Sequence, residues 1–377
     1  MKYSILITFI APILIFGQAL TSSSNLDIEK TWEQEPQGWT YEMNLFVPNE
    51  IVPADGFPVC ILLHGNGGEA AEFINEFTQS IPCHILIAPG GYMNSWNICS
   101  EESDAPDMEM LDELIASLAA YTNVNTNKIR LLGSSNGSAL ANRVLIENNN
   151  PDIDKICSVV CQLSEMQAHN GSFFGPSGDT EASIAFCGYD TEKTPLTGRH
   201  YLNICNTNDP VIPYNGGSAV GAVFIPSKAA IYEVAKSQGY TGSMIDGDGQ
   251  EINSSGIFEY NYLSGQVVHI RGDAGHGLNE SQVDRISDFF SYDCSPTGSS
   301  EENESNISIF PNPVSETLSI QGINMSASVE IIDTKGRTVF HEKISKGELN
   351  ISELKAGIYY LHIQEDSRFI IKEFIKK

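Results

Sequence analysis

The chain has 377 residues, too many for one ordinary domain with nothing appended, and its formal net charge is −27. Acidic and basic residues balance from Ile307 to the end, so the whole excess lies upstream. A body this acidic argues against nucleic acid and anionic membrane surfaces as partners and favours neutral over polyanionic substrates, beside the plainer role of keeping the protein soluble in a salty medium.

Residues 1–18 read as a secretory signal peptide. Lys2 supplies a positive start, residues 5–16 form an apolar run interrupted only by Thr8 and Pro12, and a cleavage zone follows at Gly17, Gln18 and Ala19. The run is short for a membrane span, and no later stretch is long and apolar enough for one, so the mature chain is expected to lack a transmembrane segment. Eight cysteines fit an exported protein: Cys60, Cys83, Cys99, Cys157, Cys161, Cys187, Cys205 and Cys294. None forms a CxxC pair, which argues against a zinc site or a thioredoxin-like motif, and at least one disulfide is expected, with connectivity open. Cys60, Cys157 and Cys205 also fit as buried apolar residues on strands.

From residue 25 to residue 294 the pattern alternates between buried strands and helices. An extended segment spans 39–46. The continuous apolar run at 59–63 predicts a strand buried on both faces, ending in His64-Gly65-Asn66-Gly67-Gly68. A helix and a second buried strand (84–88) follow, then an amphipathic helix over 107–121 and a strand at 129–132. Further strands are expected at 156–163, 201–205 and 267–270, with helices at 227–237 and 282–290. This order predicts an α/β fold with a mainly parallel sheet, whose chemistry sits at the carboxyl ends of strands. His64, Gly90, Ser135, Asp209 and His276 all fall just past such ends. Residues 295–306, SPTGSSEENESN, contain no large apolar residue and read as a linker. Residues 307–377 change to short alternating strands at 307–310, 317–320, 327–332, 357–363 and 369–374, a small all-β sandwich.

The segment Gly133-Ser134-Ser135-Asn136-Gly137 follows an apolar strand and opens a helix, the context a G-x-S-x-G nucleophile elbow needs. The glycines carry no Cβ to collide with the neighbouring elements. The helix start behind Ser135 aims free N–H groups at any oxyanion formed there. Such a serine requires a base, a carboxylate to orient it, and oxyanion donors. In chain order Ser, Asp, His, the best acid is Asp209 and the best base is His276. Asp273 is a rival acid, but it lies too near His276 in sequence to reach Nδ1 while the ring faces Ser135. The expected oxyanion donors are the backbone N–H of Asn136 and a second from Asn66 or Gly67. HGNGG lacks the Lys-Ser/Thr ending of a phosphate-binding loop. His64 is expected to pack or hydrogen-bond under the loop it opens.

Taken together, HGNGG at 64–68, PGG and SWN within 89–97, GSSNGS at 133–138, NTNDPVIPYNGG at 206–217 and DAGHGL at 273–278 resemble the secreted α/β-hydrolase esterases that include feruloyl esterases and poly(3-hydroxybutyrate) depolymerases. The resemblance covers about residues 40–290. It implies an α/β-hydrolase fold with Ser135 as nucleophile, Asp209 as orienting acid and His276 as base, and it sets Trp96, Asn97 and Tyr214 near the cleft. For Trp96 core packing is the alternative. Ser138 and Asn206 depart from the family pattern. The reaction implied is hydrolysis of a carboxylic ester through an acyl-enzyme, without metal or organic cofactor, on feruloyl or acetyl esters of plant polysaccharides. The alternatives are a depolymerase of aliphatic polyesters, a catalytically silent surface-binding protein and, more remotely, a peptidase. In the tail, IFPNPVSETLSI at 309–320, VEIIDTKGRTV at 329–339 and LKAGIYYLHI at 354–363 resemble the C-terminal sorting domains read by the type IX secretion system of the Bacteroidetes. This implies the secretion machinery as a partner, passage across the outer membrane, and attachment to the cell surface or release.

Overall fold

The apolar runs expected to be buried strands lie side by side in one sheet. In the computed structural model the described residues are 17–177, 186–294, 308–321, 327–333, 337–344, 347–365 and 368–377. They divide into two compact units, one within Met1–Thr297 and one within Gly298–Lys377. All but the last two residues of the signal segment, and the whole 295–306 linker, lie outside the described residues.

The first unit is built on nine strands: β1 (Met43–Phe46), β2 (Phe57–Leu63), β3 (Ile85–Pro89), β4 (Val124–Ser134), β5 (Ile153–Val159), β6 (His200–Asn206), β7 (Gln250–Glu251), β8 (Phe258–Tyr262) and β9 (Val267–Gly272). Their spatial order is β7-β8-β9-β6-β5-β4-β2-β3-β1. The strands from β3 across to β9 are all parallel. β1 closes one edge and the β8–β7 pair the other, both antiparallel.

Successive residues of a strand point to opposite faces, so a strand apolar at every position needs cover on both. Helices α1 (Ala70–Phe77), α2 (Asp107–Ser117), α3 (Asn136–Glu147), α4 (Ser227–Ser237) and α5 (Glu280–Phe289) supply it. Cys60, Leu62, Leu132, Cys157 and Ile204 pack with Phe73 and Phe77 of α1 and Ile286 of α5. Ile61, Leu63, Leu131 and Ile156 pack on the other side with Met110, Leu114, Leu140, Val144, Ile231 and Val234 from α2, α3 and α4.

The differences from expectation have local causes. β5 stops at Val159 rather than running to Leu163, because Val160 turns the chain with φ +50°. β8 escapes the apolar-run criterion because it alternates: Tyr260 and Tyr262 are buried while Asn261 between them is exposed. A hairpin, Gly217–Ala219 with Ala222–Phe224, and a small sheet of Ala168–His169, Ser172–Pro176 and Tyr189–Lys193 are too short to show a period. Two disulfides form, Cys83–Cys294 and Cys99–Cys187, while Cys60, Cys157, Cys161 and Cys205 are buried thiols.

The second unit is wholly antiparallel among its named strands. Ser308–Phe310, Thr317–Gln321 and Glu348–Asn350 form a three-stranded sheet. Thr338–Ile344, Ala327–Asp333, Gly357–Glu365 and Arg368–Lys376 form a four-stranded one. Val314, Leu318, Val329, Ile331, Leu349, Leu361, Ile363 and Phe374 make its core.

Candidate active site

β4 ends at Ser134, α3 begins at Asn136, and Ser135 alone turns the chain between them. Its backbone is held at φ +52°, ψ −116°, where a side chain with a Cβ is strained. Hydrogen bonds to the neighbouring strand hold the turn. The Ser135 N–H donates to Val159 O at 2.9 Å. The buried Ser138 hydroxyl accepts from the Val159 N–H at 2.7 Å and donates to Gly133 O at 2.5 Å. Ser138 therefore ties the elbow to β5.

The turn points the Ser135 side chain at a histidine. His276, in the loop after β9, places Nε2 2.9 Å from Ser135 Oγ and Nδ1 2.8 Å from Asp209 Oδ2. Asp209 follows β6, and its Oδ1 accepts from the N–H groups of Val211 at 2.7 Å and Ile212 at 3.0 Å. The Asp209 side chain is 2% exposed and that of His276 is 22% exposed, so the carboxylate is shielded while the imidazole stays within reach of a ligand. Asp273 is exposed and takes no part in this chain of hydrogen bonds. A carboxylate beside Nδ1 fixes the tautomer in which Nε2 is bare, and such an imidazole can take a proton from an attacking serine hydroxyl. With Ser135 at the carboxyl end of β4, the acid after β6 and the histidine after β9, the first unit has the α/β-hydrolase fold.

Two backbone N–H groups are expected to face an oxyanion, that of Asn136 and that of either Asn66 or Gly67. Asn66, Gly67 and Asn136 all line the same cavity as Ser135 and His276. Asn136 opens α3, where the first N–H groups have no intrahelical partner. The Gly67 N–H is already given to Asn94 O at 2.7 Å, so of the two loop amides Asn66 is the candidate. The HGNGG loop is braced from below. Buried His64 donates from Nδ1 to Gly65 O at 2.8 Å and accepts at Nε2 from the Gly91 N–H at 3.1 Å, while burial lowers its pKa.

The cavity holds about 620 Å³. Met166, Val220, Ala222, Phe224 and Ile212 form an apolar wall, and Glu101 and Glu102 an acidic one. The three residues assigned near the cleft do not line it. Trp96 is fully buried and donates from its indole to His64 O at 2.8 Å; it is a core residue. Asn97 turns away, with its N–H on Asp107 Oδ2 at 2.7 Å and its side-chain amide on Ala105 O at 3.2 Å. Tyr214 is buried, with its hydroxyl 3.0 Å from His269 Nε2. What the SWN segment supplies instead is backbone. The Asn136 side chain accepts from the Trp96 N–H at 2.7 Å and donates to Trp96 O at 3.1 Å and Glu101 Oε1 at 2.9 Å, pinning the cavity wall to the start of α3.

His269, on β9, lies beneath the site. Asn203 donates its amide N–H groups to Ser158 O and Cys161 O, so its Oδ1 accepts from His269 Nδ1 at 2.9 Å and Nε2 accepts from Tyr214. Both nitrogens serve a neutral ring, and burial pushes its pKa down to about 3. A depressed pKa gives stability that is full above the unfolded value near 6.5 and is lost as pH falls toward 3. His84 acts in the same sense, and buried Asp107, raised to about 6, in the opposite one. The melting temperature of His269→Gln should therefore fall less than that of the wild type between pH 7 and pH 4; parallel curves would overturn this.

Residues 308–377 match the secretion system C-terminal sorting domain family. No curated protein matches the chain. Among solved structures, PorZ, a surface component of the type-IX secretion system of Porphyromonas gingivalis, is 20% identical; the match covers 22% of this chain and 13% of PorZ, with a TM-score of 0.18. The Bacillus cereus carboxylesterase is 13% identical over 66% of this chain and 93% of its own, with a TM-score of 0.41. The LpqC poly(3-hydroxybutyrate) depolymerase from Bordetella parapertussis is 13% identical over 46% of this chain and 62% of its own, with a TM-score of 0.33.

Proposed function

We propose that this chain is an exported serine carboxylic ester hydrolase, acting through an acyl-enzyme on feruloyl or acetyl esters of plant polysaccharides. The observation that carries the reading is the hydrogen-bonded chain Asp209–His276–Ser135 opening into the 620 Å³ cavity. His276 takes the Ser135 proton as Oγ attacks the ester carbonyl, and the N–H groups of Asn136 and Asn66 hold the tetrahedral oxyanion. The alcohol leaves with the proton from His276. Water, deprotonated by the same ring, then attacks the acyl group and frees Ser135. Carboxylates at Glu101 and Glu102 and the acidic body favour neutral substrates. Export is supported by the sorting-domain match and by two disulfides, which persist in oxidising compartments.

A second reading, depolymerisation of aliphatic polyesters, has separate support. Met93 and Val220 line the cavity yet are 52% and 61% exposed, an apolar rim suited to an insoluble surface. One panel tests both. Ferulate release from methyl ferulate, abolished in Ser135→Ala together with fluorophosphonate labelling, is the expected result. Clearing of a polyester emulsion without action on aryl esters would favour the second reading, and ester turnover unchanged in Ser135→Ala would reject both.

A further inference from the structure

The loop that carries His276 is held almost entirely by side chains of the segment that carries Asp209. Asn206, the last residue of β6 and fully buried, donates both N–H groups of its amide to the carbonyls on either side of the histidine: Gly275 O at 2.8 Å and Gly277 O at 2.9 Å. Asn208 accepts from the Gly275 N–H at 2.8 Å and donates to Asp273 O. Thr207 donates its N–H to Gly272 O at 2.9 Å. The stretch just before Asp209 thus fixes the backbone around its partner.

An amide can turn over, and only one orientation of Asn206 presents two donors to two carbonyls. A third element sets that orientation. Gln282, also fully buried, donates from Nε2 to Asn206 Oδ1 at 2.7 Å. Its own Oε1 is occupied by the Asn279 N–H at 3.0 Å, while Asn279 Oδ1 accepts from the Gln282 N–H at 3.0 Å. This pair is the capping box of α5. With its oxygen committed to the helix start, Gln282 has only its NH₂ to offer Asn206. Gly272 gives the two amides room, since a Cβ there would lie 2.2 Å from Gln282 Nε2 and 2.6 Å from Asn206 Oδ1.

We propose that Asn206 and Asn208 are positioning residues for His276, with the Asn206 amide oriented by Gln282 so that the α5 cap sets the direction of the imidazole. The kinetic consequence rests on the ester hydrolase reading; the structural one does not.

Gln282→Glu keeps the shape and the capping acceptor but puts an oxygen where Asn206 Oδ1 needs a donor. Asn208→Ala removes the outer pins from an exposed position and is the variant expected to fold without difficulty. Per Ser135 labelled by a fluorophosphonate, kcat should fall about tenfold to a hundredfold in Gln282→Glu and about tenfold in Asn208→Ala, with KM within about twofold of wild type. A residue needed only for folding would lower the labelled fraction and leave kcat per labelled site unchanged. The second readout needs no substrate. The low-field NMR signal of the His276 Nδ1 proton, held by Asp209, should broaden or vanish in both variants while thermal unfolding of Asn208→Ala stays near wild type. Unchanged kcat per labelled site, or a His276 proton signal as sharp as in the wild type, would overturn the proposal. A wild type that hydrolyses no ester but shows that proton, lost in Asn208→Ala, would sink the reaction and leave the clamp standing.

Discussion

Asp209→Asn is expected to lower kcat by about 10³–10⁴-fold with little change in fold or KM. The size of the effect follows from which way the new amide must face. Asp209 Oδ1 accepts from two backbone N–H groups, Val211 at 2.7 Å and Ile212 at 3.0 Å, and Oδ2 faces His276 Nδ1. In the variant those two donors retain the carbonyl oxygen, because turning the amide over would set its NH₂ against two N–H groups in a shielded place. The NH₂ therefore faces His276 and donates to Nδ1. The ring answers by moving its proton to Nε2, which then points an N–H at Ser135 Oγ and can no longer accept the hydroxyl proton. The variant is nearly isosteric with the wild type, so circular dichroism and the unfolding midpoint should stay close to native while fluorophosphonate labelling of Ser135 slows in step with kcat. Wild-type turnover by Asp209→Asn would mean that the carboxylate does not set the histidine tautomer, and the proposed division of roles would fall with it.

Why some of this arrangement is legible in the chain and some is not has a physical basis. A strand buried on both faces of a parallel sheet leaves its mark as an uninterrupted apolar run, and a polar residue at a glycine-rich turn just beyond such a run is placed at the sheet's carboxyl edge by topology alone. Ser135, Asp209 and His276 each follow such a run, and the structure joins them through His276, 2.8 Å from Asp209 and 2.9 Å from Ser135. Trp96, Asn97 and Tyr214 sit in motifs just as recognisable, but a motif does not encode which way a side chain faces, and all three point away from the cavity. The wall itself comes from Met166, Val220 and Phe224, in short irregular segments without a hydrophobic period. Asn206 reads in sequence as one more turn residue; its role depends on Gln282, 76 positions away, and on the register that sets β6 beside β9. The disulfide pairings, 211 and 88 residues apart, are likewise fixed by how the strands are ordered and not by spacing.

Gly137→Ala should be among the most damaging single-methyl additions in the protein. A Cβ built there would lie 2.1 Å from Leu63 O and 2.5 Å from His64 O, backbone atoms of the last residue of β2 and the residue after it, so no side chain can swing aside to make room. α3 would have to retreat from the sheet. Gly133 has the same constraint from the other side, with a Cβ 2.2 Å from Gly137 O. The two glycines let strand, elbow and helix close on each other, and that closeness is what forces Ser135 into its φ +52° turn. Overpacking against fixed backbone costs about 3 kcal/mol or more, which for a unit of this size is a drop of about 6–12 °C in melting temperature. The damage also reaches chemistry, because β2 leads directly into the loop carrying Asn66 and α3 carries the Asn136 N–H; residual folded protein should label at Ser135 at least tenfold more slowly. Gly67→Ala is the matched comparison. It too has an unusual backbone, φ +76°, but nothing lies within 4 Å of the added methyl, so only the left-handed conformation is strained and the cost should be about 1–2 kcal/mol. Urea unfolding of the two variants side by side separates steric contact from backbone preference. Equal destabilisation would mean that the elbow tolerates displacement of α3, and the tight strand–turn–helix packing would then not be what holds Ser135 in place.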